Sequence, residues 1–357
     1  MKKPFISIQI LNYNGKRFLK DCFDSLLKLD YPNYEVVLVD NASTDDSLIF
    51  FNTLYKKEIK NKKIRIIKLD KNYGFTGGYN RSYASTNADY ILLLSNDTKV
   101  PMKSFLNQLL NTLNKKKAAM VGALALPFDC TNAEEERIRK MKNTTLTTLG
   151  FAIADIIIED SPPTANACCS LIDKSQIKSP IFPEEYFCYG EDVFLGWKAF
   201  LEEKKNVSDN DAVFYHYGAG TAGKGSYFIR YNSEKNRIAN LLIFFEKKTL
   251  IKLFPLFLFE SLIKSIYLIS SPKLFKALFD AILWNIKNYK IILKYRKEIQ
   301  EKRKINDKKI LSFMSDKLFP ENIPWVSRSS NRILKVFNNI SKLYLLAVNI
   351  RTYRPKK

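Results

Sequence analysis

Residues 35–46 read EVVLVDNASTDD, and this stretch decides the fold. Val36 to Val39 form an unbroken apolar run that ends at Asp40, and the chain then turns through Asn41, Ala42, Ser43 and Thr44. A short run of branched residues without polar alternation reads as a strand buried on both faces. Parallel sheets use such strands, and open α/β sheets bind their ligands beyond the carboxyl ends. The pattern recurs where Ile91 to Leu94 lead into Ser95, Asn96 and Asp97, and where Ala212 to Tyr215 lead into His216. His216 is the single histidine of the 357-residue chain, and the acids Glu191 and Asp192 precede its strand. The polar ends of these runs predict one cleft that gathers carboxylates and an imidazole.

Working outward, candidate strands at Ile6 to Ile10, Glu35 to Val39, Ile64 to Leu69 and Tyr90 to Leu94 have the spacing of successive β-α units. Phe18, Leu19, Cys22, Leu26 and Leu27 make a helical stripe that stops before Tyr31 and Pro32. Ser43 or Thr44 is placed to cap a second helix with Asp45 and Asp46 in its first turn. Gly74, Gly77 and Gly78 punctuate the entry to a third, and Pro101 is placed to open a fourth. Val121 to Leu126 form a further apolar run, after which the polar stretch Thr131 to Thr145 reads as a mobile insertion over the site. A helix is expected after Gly190, carrying Phe194, Trp197, Ala199 and Leu201.

Composition bounds the rest. With 46% hydrophobic residues the chain can build a full core. Five cysteines without a CxxC spacing fit neither a disulfide framework nor a structural zinc site, so they read as reduced packing residues, with Cys168 and Cys169 able to face a substrate. Gln9 and Asn12 interrupt the first apolar stretch, which reads as a strand and not as a signal peptide, and the expected location is cytoplasmic. The net charge of +22 is uneven, because residues 241–357 hold 25 basic against 8 acidic side chains. An anionic surface is the natural partner of such a region. Lys252, Pro255, Glu260 and Lys264 interrupt the apolar residues Leu250 to Ser271, so no bilayer-spanning helix is expected there. From Pro272, a basic amphipathic helix puts Phe275, Leu278, Phe279, Ile282 and Ile286 on one face and Lys273, Lys276, Lys287 and Lys290 elsewhere, a pattern that can lie in a membrane surface. The expected division is a catalytic α/β domain over 1–240 and a basic helical region over 241–357.

Each candidate residue also has a plain structural reading. Asp40 can cap a helix or accept hydrogen bonds from a nucleotide base or ribose. The glycines of Asn72 to Gly78 make a turn, or let a phosphate-bearing ligand approach the backbone, though their spacing is no GxGxxG fingerprint. Asp97 can cap or hold a divalent cation, which leaves room for an imidazole, and His216 is the imidazole available. Aromatic neighbours can raise Glu191 or Asp192 towards base strength, while acids at a helix N-terminus are favourable in any case.

Taken in order, Asn12-Tyr13-Asn14-Gly15, Val39-Asp40-Asn41-Ala42-Ser43-Thr44-Asp45, Asn72-Tyr73-Gly74-Phe75 with Asn80, Ser95-Asn96-Asp97-Thr98, Glu191-Asp192-Val193 with Trp197-Lys198, and His216 resemble glycosyltransferase family 2, in its rhamnosyltransferase-like branch. The resemblance covers about residues 4 to 240 and implies a GT-A fold, a Rossmann-like mixed sheet with helices on both faces. It implies inverting transfer of a sugar from a nucleotide-diphosphate sugar to a hydroxyl acceptor with a divalent metal, Mn2+ or Mg2+. By that resemblance Asp192 is the catalytic base supported by Glu191, and Asp97 and His216 meet the metal and diphosphate. Asn12, Asp40, Asn41, Gly74, Asn80, Asn96 and Arg237 belong to the donor site, with Arg237 steadying the leaving diphosphate. Ser95 stands where the family's metal motif begins with an acid or amide, Phe194 where a second aspartate is common, and Lys198 where arginine is common. The charge asymmetry adds an acceptor expectation, a lipid-linked glycan met by an enzyme peripheral on the inner face of the cell membrane, with no nucleic-acid partner. The alternative is a degenerate transferase domain whose basic tail binds nucleic acid or membrane.

Overall fold

The computed structural model describes residues 3–140, 145–153, 168–218, 226–319 and 328–353. Two compact units divide the chain. The first holds residues 1–140, 165–199 and 204–224, and the second holds 141–164, 200–203 and 225–357. The boundary expected at 240 falls inside the helix Tyr227–Phe244, whose continuous backbone belongs to the second unit from its first turn.

In the first unit, β1 (Ile6–Asn12), β2 (Tyr34–Asp40), β3 (Ile64–Lys68), β4 (Tyr90–Ser95), β5 (Thr98–Lys99) and β6 (Met120–Pro127) follow in order. The short strands β7 (Thr145–Leu146) and β8 (Ala152–Ile153) pair in the second unit, and β9 (Cys169–Asp173) and β10 (Asn206–His216) complete the first. The main sheet runs β3-β2-β1-β4-β9-β6-β10-β5. β3, β2, β1 and β4 are mutually parallel, β9 runs antiparallel between β4 and β6, β10 is parallel to β6, and β5 is antiparallel to β10. This is the mixed α/β sheet expected.

Burial on both faces explains the unalternated strand sequences. Leu92 and Leu94 pack with Leu19, Phe23 and Phe105 on one side, whereas Ile91 and Leu93 pack with Tyr79, Tyr83 and Leu195 on the other. Successive side chains of one strand thus fill two cores. The buried Gln9 of β1 is matched to Ser82 of the helix Gly74–Ala84, donating to its carbonyl at 2.8 Å and accepting from its hydroxyl at 2.8 Å.

Three local expectations change. Ser43 and Thr44 cap no helix. The helix Ser47–Leu54 begins after Asp46, and the two hydroxyls instead take part in bonds from the loop after β1. Pro101 precedes the helix Phe105–Lys116 without opening it, since Ser104 is its first flanking residue. Within Thr131 to Thr145, expected as a mobile insertion, Asn132–Lys140 forms a helix, and 141–144 lie outside the described residues. β9 was not foreseen, because Cys169–Asp173 is too short to carry a periodicity of its own.

Among its described residues the second unit is mainly helical, with the β7–β8 ribbon and the long elements Tyr227–Phe244, Lys247–Leu268, Pro272–Lys287, Tyr289–Lys302 and Arg328–Ala347. No helix among the described residues is long and apolar enough to cross a membrane. Pro272–Lys287 is the helix expected, but its apolar stripe is divided. Ala277, Leu278 and Ala281 are buried, and Phe275, Phe279 and Ile286 are exposed.

β10 contains the irregularity that sets the register of its end. Asp209 pairs with Ala123, but the next residue of β6, Leu124, pairs with Val213. The buried Asp209 carboxylate holds the extra backbone, accepting from the amides of Asp211 at 2.9 Å and Ala212 at 3.2 Å, from Gln108 Nε2 at 2.9 Å and from Thr112 Oγ1 at 2.5 Å. Truncation would strand four donors at once. Asp209→Ala is therefore expected to destabilise the protein by about 2–3 kcal/mol, read as the urea midpoint at unchanged slope. A change within about 0.5 kcal/mol would show that the bulge holds itself.

Candidate active site

The carboxyl ends of the parallel strands carry the site, and the loops there are stapled to one another by side-chain amides. Asn12, at the end of β1, donates from Nδ2 to Ser43 Oγ at 3.2 Å and accepts at Oδ1 from Asn96 Nδ2 at 2.8 Å, so one amide ties the turn after β2 to the turn after β4. Asn14, in the left-handed conformation at φ 51°, accepts the Thr44 amide at 2.7 Å and the Asp45 amide at 3.2 Å. An Asn-Gly pair suits that geometry, and Gly15 is required, since a Cβ there would lie 2.2 Å from Asn96 Nδ2.

This bracing leaves Asp40 available. Its carboxylate is buried at the end of β2, and Oδ2 accepts the Ser43 amide at 3.2 Å. Oδ1 is buried with no hydrogen-bond partner. A buried carboxylate oxygen is rarely left so unless a ligand satisfies it.

Asn41 was expected at the nucleotide. Instead its Nδ2 donates to Asn72 Oδ1 at 2.8 Å and to the Gly74 carbonyl at 3.0 Å, while its Oδ1 accepts the Tyr73 amide at 2.9 Å. It is a bracket for the glycine loop. Gly74, at φ +69°, lies so close to Phe187 that a Cβ would meet that residue's carbonyl oxygen at 2.4 Å. Its glycine thus serves the approach of protein backbone. Asn80, also expected in the donor site, is buried and holds the segment before the acids, donating to the Phe182 carbonyl at 2.8 Å and accepting from the Ile181 and Phe182 amides at 3.0 and 3.1 Å. Arg81 adds an ion pair to Glu184 at 2.9 Å. The helix Gly74–Ala84 therefore sets the position of the chain that enters the helix Glu191–Leu201.

Arg237 was expected to steady the leaving diphosphate. It belongs to the second unit, where its buried guanidinium donates from Nε at 2.9 Å and Nη2 at 2.7 Å to Glu234 Oε2, and reaches Glu260 at 3.3 Å. Glu234 and Glu260 hold it here, and Lys264 shares both carboxylates.

Asp97 and His216 do come together. β4 and β10 are separated in the sheet by β9 and β6, and the chain bridges that distance by turning after Ser95 and adding β5 to the outer edge of β10. His216 pairs with Thr98, the Tyr217 amide donates to the Asp97 carbonyl at 3.0 Å, and His216 Nε2 lies 3.3 Å from Asp97 Oδ1. Both side chains are partly exposed. Burial alone would lower the imidazole pKa, but hydrogen bonds with Asp97 and Cys168 outweigh it and raise it to about 10. Cys168, noted in the sequence only as a residue that could face a substrate, is thus a neighbour of this pair.

The donor set can be tested against a divalent cation. Among the described residues no cluster of three or more His, Cys, Asp or Glu side chains could hold a metal by itself. One carboxylate and one imidazole side by side fit an ion whose remaining ligands come from a bound diphosphate and water, as oxygen-seeking cations with incomplete protein cages are held.

Glu191 and Asp192 open their helix. Glu191 is buried and its Oε2 has no partner, whereas Asp192 is more open and accepts the Val193 amide at 2.8 Å. Burial, then the charge of Asp192, pushes the Glu191 pKa up to about 8. Burial also raises Asp192, against the pull of the Val193 amide. The positive φ of Phe187, Tyr189 and Gly190 (63°, 68° and 78°) shows how tightly the chain turns to deliver the pair.

Comparison with known proteins gives the same direction. Residues 7–178 match the family described as Glycosyl transferase family 2, so this stretch carries that family's sequence. The poly(ribitol-phosphate) beta-glucosyltransferase of Bacillus spizizenii is 26% identical over 222 residues, 59% of this chain and 32% of that protein. The dolichyl N-acetyl-alpha-D-glucosaminyl phosphate 3-beta-D-2,3-diacetamido-2,3-dideoxy-beta-D-glucuronosyltransferase of Methanococcus voltae is 30% identical over 117 residues, 32% of this chain and 35% of that protein. The chain thus spans about a third of the length of these relatives. Among solved structures, a mannosyltransferase from Pyrobaculum calidifontis in complex with GDP-Man and Mn2+ superposes with TM-score 0.51 at 13% identity, covering 98% of this chain and 87% of that one. GalNAc-T7 with UDP, GalNAc and Mn2+ gives 0.56 at 13% identity, covering 80% and 57%. These neighbours identify the fold as GT-A.

The buried Glu191 gives a pH signature. Its pKa rises from the ordinary glutamate value of 4.5 to about 8 in the folded protein. Between those values the folded form binds more protons than the unfolded chain, so this group lowers stability as pH rises through that window. Glu191→Gln is therefore expected to come closest to the wild-type melting temperature near about pH 4 and to exceed it increasingly up to about pH 8.5, by differential scanning fluorimetry. A difference that does not vary with pH would contradict the burial argument.

Proposed function

We propose that the chain is a metal-assisted, inverting glycosyltransferase of family 2 that moves a hexosyl or rhamnosyl group from a nucleotide-diphosphate sugar to a hydroxyl of a lipid-linked cell-surface glycan, at the inner face of the membrane. The observation that carries this reading is the pairing of Asp97 with His216 on the same sheet edge as the unpartnered buried oxygen of Asp40. The family match over residues 7–178 supports the reaction class. The polymer-directed glucosyltransferase among the relatives supports a surface-glycan acceptor.

On this reading Asp40 Oδ1 accepts a hydrogen bond from the base or ribose of the donor, and the Asn12, Asn14 and Asn41 brackets keep it pointed there. Asp97 and His216 would hold the divalent ion, which when bound offsets the charge of the departing diphosphate. Asp192, the more open acid, takes the proton of the acceptor hydroxyl as that oxygen attacks the anomeric carbon and the bond to the diphosphate breaks. Attack opposite the leaving group inverts the anomeric centre. Glu191 stays buried beside Asp192, and burial is what raises the Asp192 pKa. Gly74 and Asn80 act one step away, by fixing the loop that presents the acids.

The reading is tested by thermal stabilisation with UDP, dTDP, GDP and CDP, each with and without Mn2+ or Mg2+. One nucleotide with metal, at about 100-fold excess over its Kd, is expected to raise the melting temperature by about 5 °C or more. His216→Ala and Asp97→Asn should lose the metal-dependent part. Asp192→Asn should keep the full shift yet lower turnover by about 10²- to 10⁴-fold. No shift with any nucleotide, together with salt-sensitive RNA binding, would favour a degenerate domain instead.

A further inference from the structure

We propose that the helix Lys247–Leu268 and its C-terminal extension to Ile269 are a membrane-docking element that lies in the surface of an anionic bilayer, a surface distinct from the Pro272–Lys287 face that the sequence singles out. The proposal rests on the membrane reading above and supplies its physical element. The helix carries aliphatic residues on both faces and buries two of its charges. Its buried face carries Leu253, Leu256, Glu260, Lys264 and Leu268. Its opposite face carries Ile251, Phe254, Leu258, Leu262, Ile266 and Ile269, all 52–74% exposed. At about 100° per residue these six fall within one third of the helix circumference, and the charged residues of the same span, Lys252, Glu260 and Lys264, fall outside that third.

The buried charges are satisfied inside the second unit. Lys264 pairs with Glu260 at 2.5 Å and with Glu234, Arg237 pairs with Glu234 at 2.7 Å and Glu260 at 3.3 Å, and both cations lie over the Phe151 ring at 3.9 and 4.1 Å. A helix that faces water shows the opposite polarity, with its apolar stripe inward. Paired charges inside and aliphatic side chains outside suit an apolar exterior.

A second helix widens the patch. Arg328–Ala347 exposes Ile333, Val336, Ile340 and Leu343 by 43–67% while burying Asn338, Ser341 and Leu345. It is fastened to the first helix by Lys252 Nζ donating to the Val348 carbonyl at 2.7 Å, Tyr344 Oη donating to the Lys252 carbonyl at 2.8 Å, and the Phe259–Phe337 ring contact at 5.8 Å. An exposed apolar face of this extent marks an interaction surface. Charge selects the occupant. In the sequence Lys247 and Lys248 precede the stripe and Lys273 follows it, in a region with 25 basic and 8 acidic residues. A second copy of the chain would set this basic rim against itself, whereas anionic headgroups neutralise it as the stripe enters the acyl boundary. Since no described helix can span, the element lies along the surface.

The test uses the full chain in flotation with vesicles of phosphatidylcholine alone and of phosphatidylcholine mixed with phosphatidylglycerol, without nucleotide. Wild type is expected to float with the anionic vesicles. The triple variant F254S/L258S/L262S should lose at least about tenfold in partition coefficient at unchanged melting temperature and nucleotide response. Lys247→Glu with Lys248→Glu and Lys273→Glu should remove the preference for phosphatidylglycerol. Wild type failing to float, or the triple variant floating equally well, would overturn the proposal. A wild-type dimer in sedimentation that the triple variant dissolves, without flotation, would assign the face to a second copy. Because no donor is present, failure here leaves the nucleotide test to judge the transferase reading separately.

Discussion

The short antiparallel ladder between Thr98–Lys99 and Tyr215–His216 is the constraint on which the site depends. Asp97 follows β4 and His216 ends β10, strands with two others between them, and nothing in their local sequence would bring them together. The ladder does so by making the chain after β4 cross the carboxyl edge and join the far side of β10. The tight turn that starts this crossing is closed by Thr98 Oγ1 donating to the Ser95 carbonyl at 2.6 Å. The bulge held by Asp209 then decides which residue of β10 faces Thr98. A backbone register thus sets the distance between a carboxylate and an imidazole, with side-chain flexibility reduced to a few rotamers.

Around this pair the protein divides labour between neutral amides and charged groups. Asn12, Asn14, Asn41 and Asn80 offer donors and an acceptor on one rigid plane, and each is consumed in tying loop to loop. The carboxylates of Asp40 and Glu191 retain oxygens without partners. A protein that braced its loops with acids would use up the oxygens that a donor or acceptor needs. Bracing with amides keeps the reactive carboxylates open while charge stays low in the buried parts of the site.

Much of the architecture was legible because the strands announce themselves. The runs Val36–Val39 and Ile91–Leu94 predicted their strands to within a residue or two, and the glycines before Gly78 marked a helix start correctly. The acids and His216 were recognisable from where they sit, at the ends of those runs. The roles of the asparagines were not legible, since an amide in a turn has the same sequence signature whether it touches ligand or backbone. Asn41 and Asn80 were therefore expected at the donor, and in this structure their amides brace one segment against another. Lys247–Leu268 shows the same limit from another side. A helix with aliphatic residues on both faces, and with Glu260 and Lys264 among the buried ones, has no amphipathic signature of the usual sense, so the sequence pointed to the next helix instead.

The central claim is that Asp97, His216 and Asp40 form one donor site. Anomalous diffraction from crystals grown with Mn2+ and the nucleoside diphosphate that stabilises the protein tests it most directly. The account predicts a manganese peak ligated by both Asp97 and His216, with the nucleoside hydrogen-bonded to Asp40 Oδ1. Manganese bound elsewhere, or a nucleoside that leaves Asp40 Oδ1 unpartnered, would contradict it.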